Sequence, residues 1–231
     1  MPNLPSYTIH QARIQPDIAG ARAGDWGGPA WVQAETLNVS QFRPESSDAR
    51  PRTQAKLLYV AHGIYGMFKV EDHYVRCTHV GYQAAVYRDS CVEFFVQPKS
   101  DRGYFNFEFN CGGSLLCSYV TDPARGEGGA LAEAVRLPDQ AGEQVQVTHS
   151  LPQMVDPEMV GPVSWMLVFF IPFSILSEYV GPLSVLPGQV WRANLYKCAE
   201  DNSHPHWAAW SPVDELNFHL PRCFGTLVFA G

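Results

Sequence analysis

Glu93 and Glu108 are the residues of this chain whose type and spacing most suggest chemistry, because each interrupts an apolar run at the polar position of a strand-like alternation. In Tyr87-Arg-Asp-Ser-Cys-Val-Glu-Phe-Phe-Val-Gln-Pro98, Val92, Phe94 and Val96 point one way and Cys91, Glu93 and Phe95 the other. In Tyr104-Phe-Asn-Phe-Glu-Phe-Asn-Cys-Gly-Gly113, Phe105, Phe107 and Phe109 oppose Tyr104, Asn106, Glu108 and Asn110. An antiparallel hairpin around Pro98–Gly103 that keeps the apolar faces together sets Glu93 beside Glu108. A slip of one residue would turn the phenylalanines into solvent. The second face of this hairpin, bearing carboxylates and amides, is expected either to meet a polar ligand or to lie open to water.

Two neighbouring carboxylates admit three uses. As acceptors for sugar hydroxyls they form charge-assisted hydrogen bonds. As an acid and a nucleophile or base they could cleave a glycosidic bond, with a separation of ~5–9 Å deciding retention or inversion. Solvated, or neutralised by Arg88, Arg102 or Lys197, they would serve no ligand. Around them, Tyr87 is either a rim platform or an aromatic packed at a strand end, and Phe218 either a ligand contact or a loop anchor. His219 follows Phe218, and an imidazole can donate to a hydroxyl near neutral pH. Trp26, Trp31, Trp165, Trp191 and Trp210 sit in or beside apolar strands and are expected in the core, whereas Trp207 is an alternative platform.

The elements that must position these groups are short strands. Residues 1–50 read as irregular apart from a short strand at Leu37, Val39 and Phe42. Gln54–Val60 and Ile64–Val70 read as a hairpin turning at His62-Gly63, with glycine supplying a positive φ. Arg76–Ala85 is a connection, Ser114–Tyr119 a strand, and Pro123–Gly142 and Pro152–Pro162 loops. Gln144–Ser150 and Val190–Cys198 alternate as strands do. Trp165–Ile171 is a nearly continuous apolar run suited to burial on both faces. One helical turn fits Pro172–Tyr179, and Thr226–Phe229 closes the chain as a strand. About ten strands with Gly/Pro-rich links imply an all-β, antiparallel β-sandwich with little helix. With no internal repeat and no compositional break, residues 1–231 read as one domain.

The 231 residues carry a net charge of −7, with 17% charged and 46% hydrophobic residues. That balance disfavours nucleic acid, whose footprint is a basic patch. No apolar run spans a bilayer. Met1-Pro-Asn-Leu-Pro-Ser-Tyr7 lacks the features of a signal peptide, so the chain is expected in the cytoplasm, or outside it or in the periplasm if a leader has been removed. Cysteines 77, 91, 111, 117, 198 and 223 show no Cys-x₂-Cys zinc spacing and read as buried free thiols. His204-x-His206 lacks an evident third metal ligand, and the methionines and histidines form no haem-binding pair. Asp72, Asp89, Asp122 or Glu127 could hold a structural calcium, although no Asp-x-Asp-x-Asp loop is present. No other cofactor is expected.

Taken in order, several pieces resemble the family 9 carbohydrate-binding modules, whose β-sandwich is of the immunoglobulin-like or DOMON-like jelly-roll type. They are Trp31, Thr53–Tyr59, Met67–Asp72, Asp89-Ser-Cys-Val-Glu-Phe-Phe95, Tyr104–Gly113, Trp191–Tyr196, Trp210-Ser-Pro212 and Asn217-Phe-His219 with Phe224-Gly225. The resemblance implies non-catalytic binding of a mono- or oligosaccharide. In such modules two aromatic rings clamp the terminal sugar while charged or amide side chains bond its hydroxyls. Tyr87 and Phe218 fall at the clamp positions, both smaller than the usual tryptophan. Glu93 matches the strand glutamate, and Glu108 stands where the family carries an arginine. The expected ligand set is therefore Tyr87, Glu93, Asn106, Glu108, Phe218 and His219. The oligomeric state is left open.

Overall fold

The apolar faces of the hairpin meet as the alternation requires. In the computed structural model, which describes residues 4–18 and 25–231, β6 (Cys91–Gln97) pairs antiparallel with β7 (Tyr104–Asn110). Val92 lies opposite Phe109, Phe94 opposite Phe107, and Val96 opposite Phe105, which brings Glu93 opposite Glu108. The phenylalanines are all buried.

Fourteen strands make up the described sheet. The others are β1 (Ser6–Gln11), β2 (Leu37–Val39), β3 (Gln41–Phe42), β4 (Arg52–Val60), β5 (Gly63–Cys77), β8 (Leu115–Arg125), β9 (Leu131–Arg136), β10 (Gln146–His149), β11 (Val155–Pro172), β12 (Val190–Ala199), β13 (His206–Ala209) and β14 (Gly225–Ala230). Their order is β10-β11-β5-β4-β1-β14-β12-β6-β7-β8-β9, with β2 on β4 and β13 bridging β12 to β3. Pairing is antiparallel except at β1, which runs parallel to both β4 and β14. The sheet folds on itself as a β-sandwich. Phe169 of β11 stacks at 5.7 Å on Phe94 and at 5.1 Å on Phe109, joining the two halves through the core. Among the described residues helix is confined to α1 (Asp139–Gln144), α2 (Phe173–Val180) and single 3-10 turns. Among the described residues no helix is long and apolar enough to cross a membrane.

Trp165–Ile171 is buried on both faces. One face joins the central core, while Met166, Val168 and Phe170 pack with Ile18, Trp31 and Leu58. Trp31, Trp165 and Trp191 are buried, but Trp26 and Trp210 are only half-buried. All six cysteines are free and buried.

Several expectations are corrected. The first fifty residues contain β1, whose parallel partners lie far away in sequence. Pro123–Gly142 is not a loop: β8 runs into it, β9 crosses it and α1 begins within it. Pro152–Pro162 contains the start of β11, disguised by register shifts between Val155 and Met159 and between Val160 and Val163. The β4–β5 hairpin turns at Ala61-His62, with Val60 paired to Gly63. Gly63 lies outside the left-handed region. It is required instead by packing, since a Cβ there would collide with the Phe170 ring. The second face of β6 and β7 is also not open, because every residue of β7 is buried.

Trp165 tests the two-faced core. Trp165→Ala is expected to cost about 3–5 kcal/mol of unfolding free energy in a denaturant titration, the scale for a buried aromatic. Tyr87→Ala, at a side chain 38% exposed, is expected to change stability by less than about 0.5 kcal/mol. Equal losses in the two variants would contradict this division between core and rim.

Candidate functional site

The buried polar face of β6 and β7 is the floor of a cleft of about 770 Å³. Tyr87, Glu93, Asn106, Glu108, Phe218 and His219 all line it. Glu93, Asn106 and Glu108 are 2%, 3% and 5% exposed, so the cleft bottoms on carboxyls and an amide already withdrawn from bulk water.

The floor is tightly specified. Asn106 accepts the Ser118 backbone N–H at 2.9 Å and donates from Nδ2 to Glu108 Oε1 at 2.7 Å. The Cys198 thiol donates to Glu93 Oε1 at 3.2 Å. Oε2 of each glutamate has no hydrogen-bond partner among the described residues. None of the cations considered from sequence neutralises them. Arg88 forms a bidentate pair with Asp201, at 2.8 and 3.1 Å, and Arg102 lies 4.0 Å from Asp101. Lys197 is buried on the opposite face, where Nζ lies 2.7 Å from His206 Nε2, 2.9 Å from the Cys198 carbonyl and 3.7 Å from Asp72. Burial, and after it Lys197, pushes His206 down to about 2, so the neutral ring accepts from the ammonium. Neither glutamate forms an ion pair among the described residues, and burial dominates the floor even with Arg125 on the cleft wall. It raises Glu93 well above the usual carboxylate range, with Cys198 and Glu108 adding to it. Burial likewise pushes Glu108 up to about 7, with Glu200 adding to it, against the Asn106 hydrogen bond and the Arg125 charge.

Tyr87 stands on the 3-10 turn Val86–Arg88, anchored by buried Val86 and the Arg88–Asp201 pair. The next residue, Asp89, is 1% exposed. It accepts from the Thr78 and His79 backbones, the His79 ring and Asn110. Burial pushes Asp89 up, but these donors, led by His79, outweigh it and hold the carboxyl below its ordinary range. Its oxygens are thus engaged by N–H donors. Asp72 faces Lys197, and among the described residues these aspartates do not gather with Asp122 into a cation-ligating cluster. The side chain of Glu127 lies outside the described residues.

Phe218 and His219 belong to the segment before β14. Phe218 stacks on Tyr196 at 4.0 Å and 11°, and the Tyr196 hydroxyl donates to the Phe218 carbonyl at 2.9 Å. One face of Phe218 is therefore occupied. His219 Nδ1 lies 2.7 Å from the Tyr104 hydroxyl. Burial, with Arg125 adding to it, pushes His219 down to about 3. A neutral ring that accepts the Tyr104 phenol at Nδ1 presents Nε2–H as a donor. His204 and His206 do not form a metal pair, because His204 stacks on Tyr74 at 3.7 Å while His206 turns to Lys197.

Known proteins share this architecture. The profile described as carbohydrate-binding family 9 matches residues 31–229. The chain belongs to carbohydrate-binding family 9. A provisionally assigned carbohydrate-binding protein from Bacteroides uniformis superposes with a TM-score of 0.81 at 27% identity, covering 98% of this chain and 100% of the other. A family 9 module from Caldicellulosiruptor kristjanssonii solved in complex with glucose gives a TM-score of 0.62 at 13% identity, covering 97% and 96%. Solved with cellotriose, a module from that organism gives 0.64 at 12%, covering 98% and 94%. No curated protein matches the chain.

In this family 9 chain, sequence reasoning missed part of the cleft wall. Arg125, Leu131, Ala134 and Arg136 line it from β8 and β9, as do Glu200 and Phe95 from elsewhere. The arginines went unseen because their hairpin reads as a loop, and Leu131-Ala-Glu-Ala-Val-Arg136 carries no period-two pattern to reveal the strand. Trp207, named as an alternative platform, also lines the cleft.

Glu108 makes the floor pH-sensitive. Its pKa is raised on folding, so its contribution to stability is full below about 4.5 and is lost as pH rises through about 7. Glu108→Gln keeps the acceptor for Asn106 and removes the ionisation. The variant is expected to gain on wild type by up to about 3 kcal/mol between pH 5 and pH 8, as measured by denaturant titration at each pH. Parallel stability profiles for the two proteins would show that Glu108 does not titrate as placed here.

Proposed function

We propose that this chain binds a mono- or oligosaccharide non-covalently in the cleft, without transforming it. The observation that carries this reading is the convergence of Tyr87, Glu93, Asn106, Glu108, Phe218 and His219 on one cleft with a buried polar floor. Pyranoses suit such a place because their axial C–H groups stack on aromatic faces while the hydroxyls at the edge take hydrogen bonds. The unpartnered Oε2 atoms of Glu93 and Glu108 would accept from sugar hydroxyls, and His219 Nε2 would donate to one. Family membership and the glucose and cellotriose complexes of the Caldicellulosiruptor modules support the same ligand class.

In this reading Tyr87 and the free face of Phe218 hold the terminal ring between them. That requires the two rings to stand ~7–8 Å apart in the complex, one sugar thickness plus contact distances. Arg125 and Arg136 on the cleft wall would reach outer hydroxyls.

Calorimetric titration with a panel of mono- and oligosaccharides, glucose and cellotriose included, tests the proposal. Binding is expected with at least one of them, and Tyr87→Ala should weaken it by roughly 1–3 kcal/mol, the scale of one large apolar contact. No heat with any sugar at millimolar concentration would end the reading. Incubation with oligosaccharides separates binding from catalysis. Products that vanish in Glu93→Gln and Glu108→Gln would replace a binding role by a glycosidic one.

A further inference from the structure

Beneath the cleft floor, the fold brings together three ligand-bearing side chains that lie apart in sequence. Cys91 opens β6 and Cys198 lies near the end of β12, directly opposite each other in the antiparallel ladder. Glu93 is two residues along β6 from Cys91, on the same face, and opposite Tyr196. One sulfur or oxygen atom from each of the three lies within 4.8 Å of the others. The Cys198 sulfur is 3.2 Å from Glu93 Oε1. The residues are 0%, 2% and 2% exposed.

We propose that Cys91, Cys198 and Glu93 form a binding site for a thiophilic divalent cation of the zinc class, seated in the floor of the cleft.

The geometry suits that ion. Tetrahedral zinc with bonds of about 2.3 Å to sulfur and 2.0–2.2 Å to oxygen sets sulfur–sulfur and sulfur–oxygen edges at roughly 3.5–3.8 Å. The observed thiol–carboxylate approach needs only a few tenths of an ångström of relaxation to meet it. Two soft thiolates select zinc and its congeners over calcium or magnesium, which prefer all-oxygen shells. Glu93 Oε2 is buried with no partner, a cost that a cation on this carboxylate would remove. Glu93 and Cys198 line the cleft while Cys91 lies beneath, so three protein ligands leave the fourth position for a water or ligand on the cleft side. The site does not depend on the sugar reading, and sugar binding without metal would leave it standing.

The test uses the full chain, reduced, stripped with chelator and free of any affinity tag, titrated with zinc chloride and separately with cobalt(II) chloride. One zinc per chain is expected, and the cobalt form should show thiolate-to-cobalt charge-transfer absorption together with the intense visible bands of a tetrahedral ion. Cys91→Ser, Cys198→Ser and Glu93→Gln should each weaken zinc binding. For the cysteine variants the loss should exceed about a hundredfold, beyond the scale of losing only a ligand's hydrogen-bond partner. The cobalt spectrum of the unaltered protein needs no variant, so a misfolded cysteine variant does not spoil the test. No zinc uptake by the reduced chain, cobalt uptake without thiolate bands, or unchanged zinc affinity in folded Cys91→Ser/Cys198→Ser would each overturn the proposal.

Discussion

The packing of Val92, Phe94 and Val96 against Phe109, Phe107 and Phe105 fixes the β6–β7 register, and the cleft follows from it. Side chains of a strand alternate between faces, so burying these apolar groups on one side determines what meets on the other. Glu93 must then oppose Glu108, and Asn106 must lie beside them. Phe169 reinforces the register from across the sandwich by stacking on Phe94 and Phe109 together. A slip would turn the phenylalanines onto the polar cleft side and drive the carboxyls into the core, so the position of the acids is secured by hydrophobic packing.

The condition of those acids follows from where the nearby cations are held. Arg88 is committed to Asp201, and Lys197 is directed by strand alternation to the opposite face, toward His206 and Asp72. The floor is therefore desolvated with no ion pair to either glutamate among the described residues, which raises both and leaves an oxygen of each unsatisfied. A protein interior rarely leaves polar atoms in that condition without a use for them. The strain is local, and a ligand able to hydrogen-bond or coordinate there would relieve it.

The walls come from segments far apart in the chain. Tyr87 is held by the turn that leads into β6, Arg125 and Arg136 by the β8–β9 hairpin, and Phe218 and His219 by the stretch before β14. That last stretch is tied down by Tyr196 and Tyr104, whose hydroxyls meet the Phe218 carbonyl and His219, and by Arg192 on the carbonyl of Phe224. Phe95 and Tyr104, on the polar side of their strands, pack beneath it against Phe224. A rigid two-stranded floor thus carries walls fixed by specific hydrogen bonds.

Local periodicity determined a good part of this protein. The alternation through 91–97 and 104–110 fixed the hairpin and the Glu93–Glu108 pairing, and the unbroken apolar run at 165–171 marked a strand buried on both sides. The ordered motifs were enough to indicate the family. Tertiary structure decided what periodicity cannot encode. β9 is mostly exposed and lacks an apolar face, and β1 gains its place from parallel partners distant in the chain. The second face of β7 is buried at Tyr104 by the stretch of chain before β14 and at Asn110 by the segment holding His79 and Asp89. Lys197 lies on the apolar side of β12, away from the glutamates, and its partners Asp72 and His206 come from other strands. Cys91 and Cys198 meet only when β12 pairs with β6, a contact no sequence spacing announces. Sequence specifies which face a side chain takes; the fold specifies what it meets there.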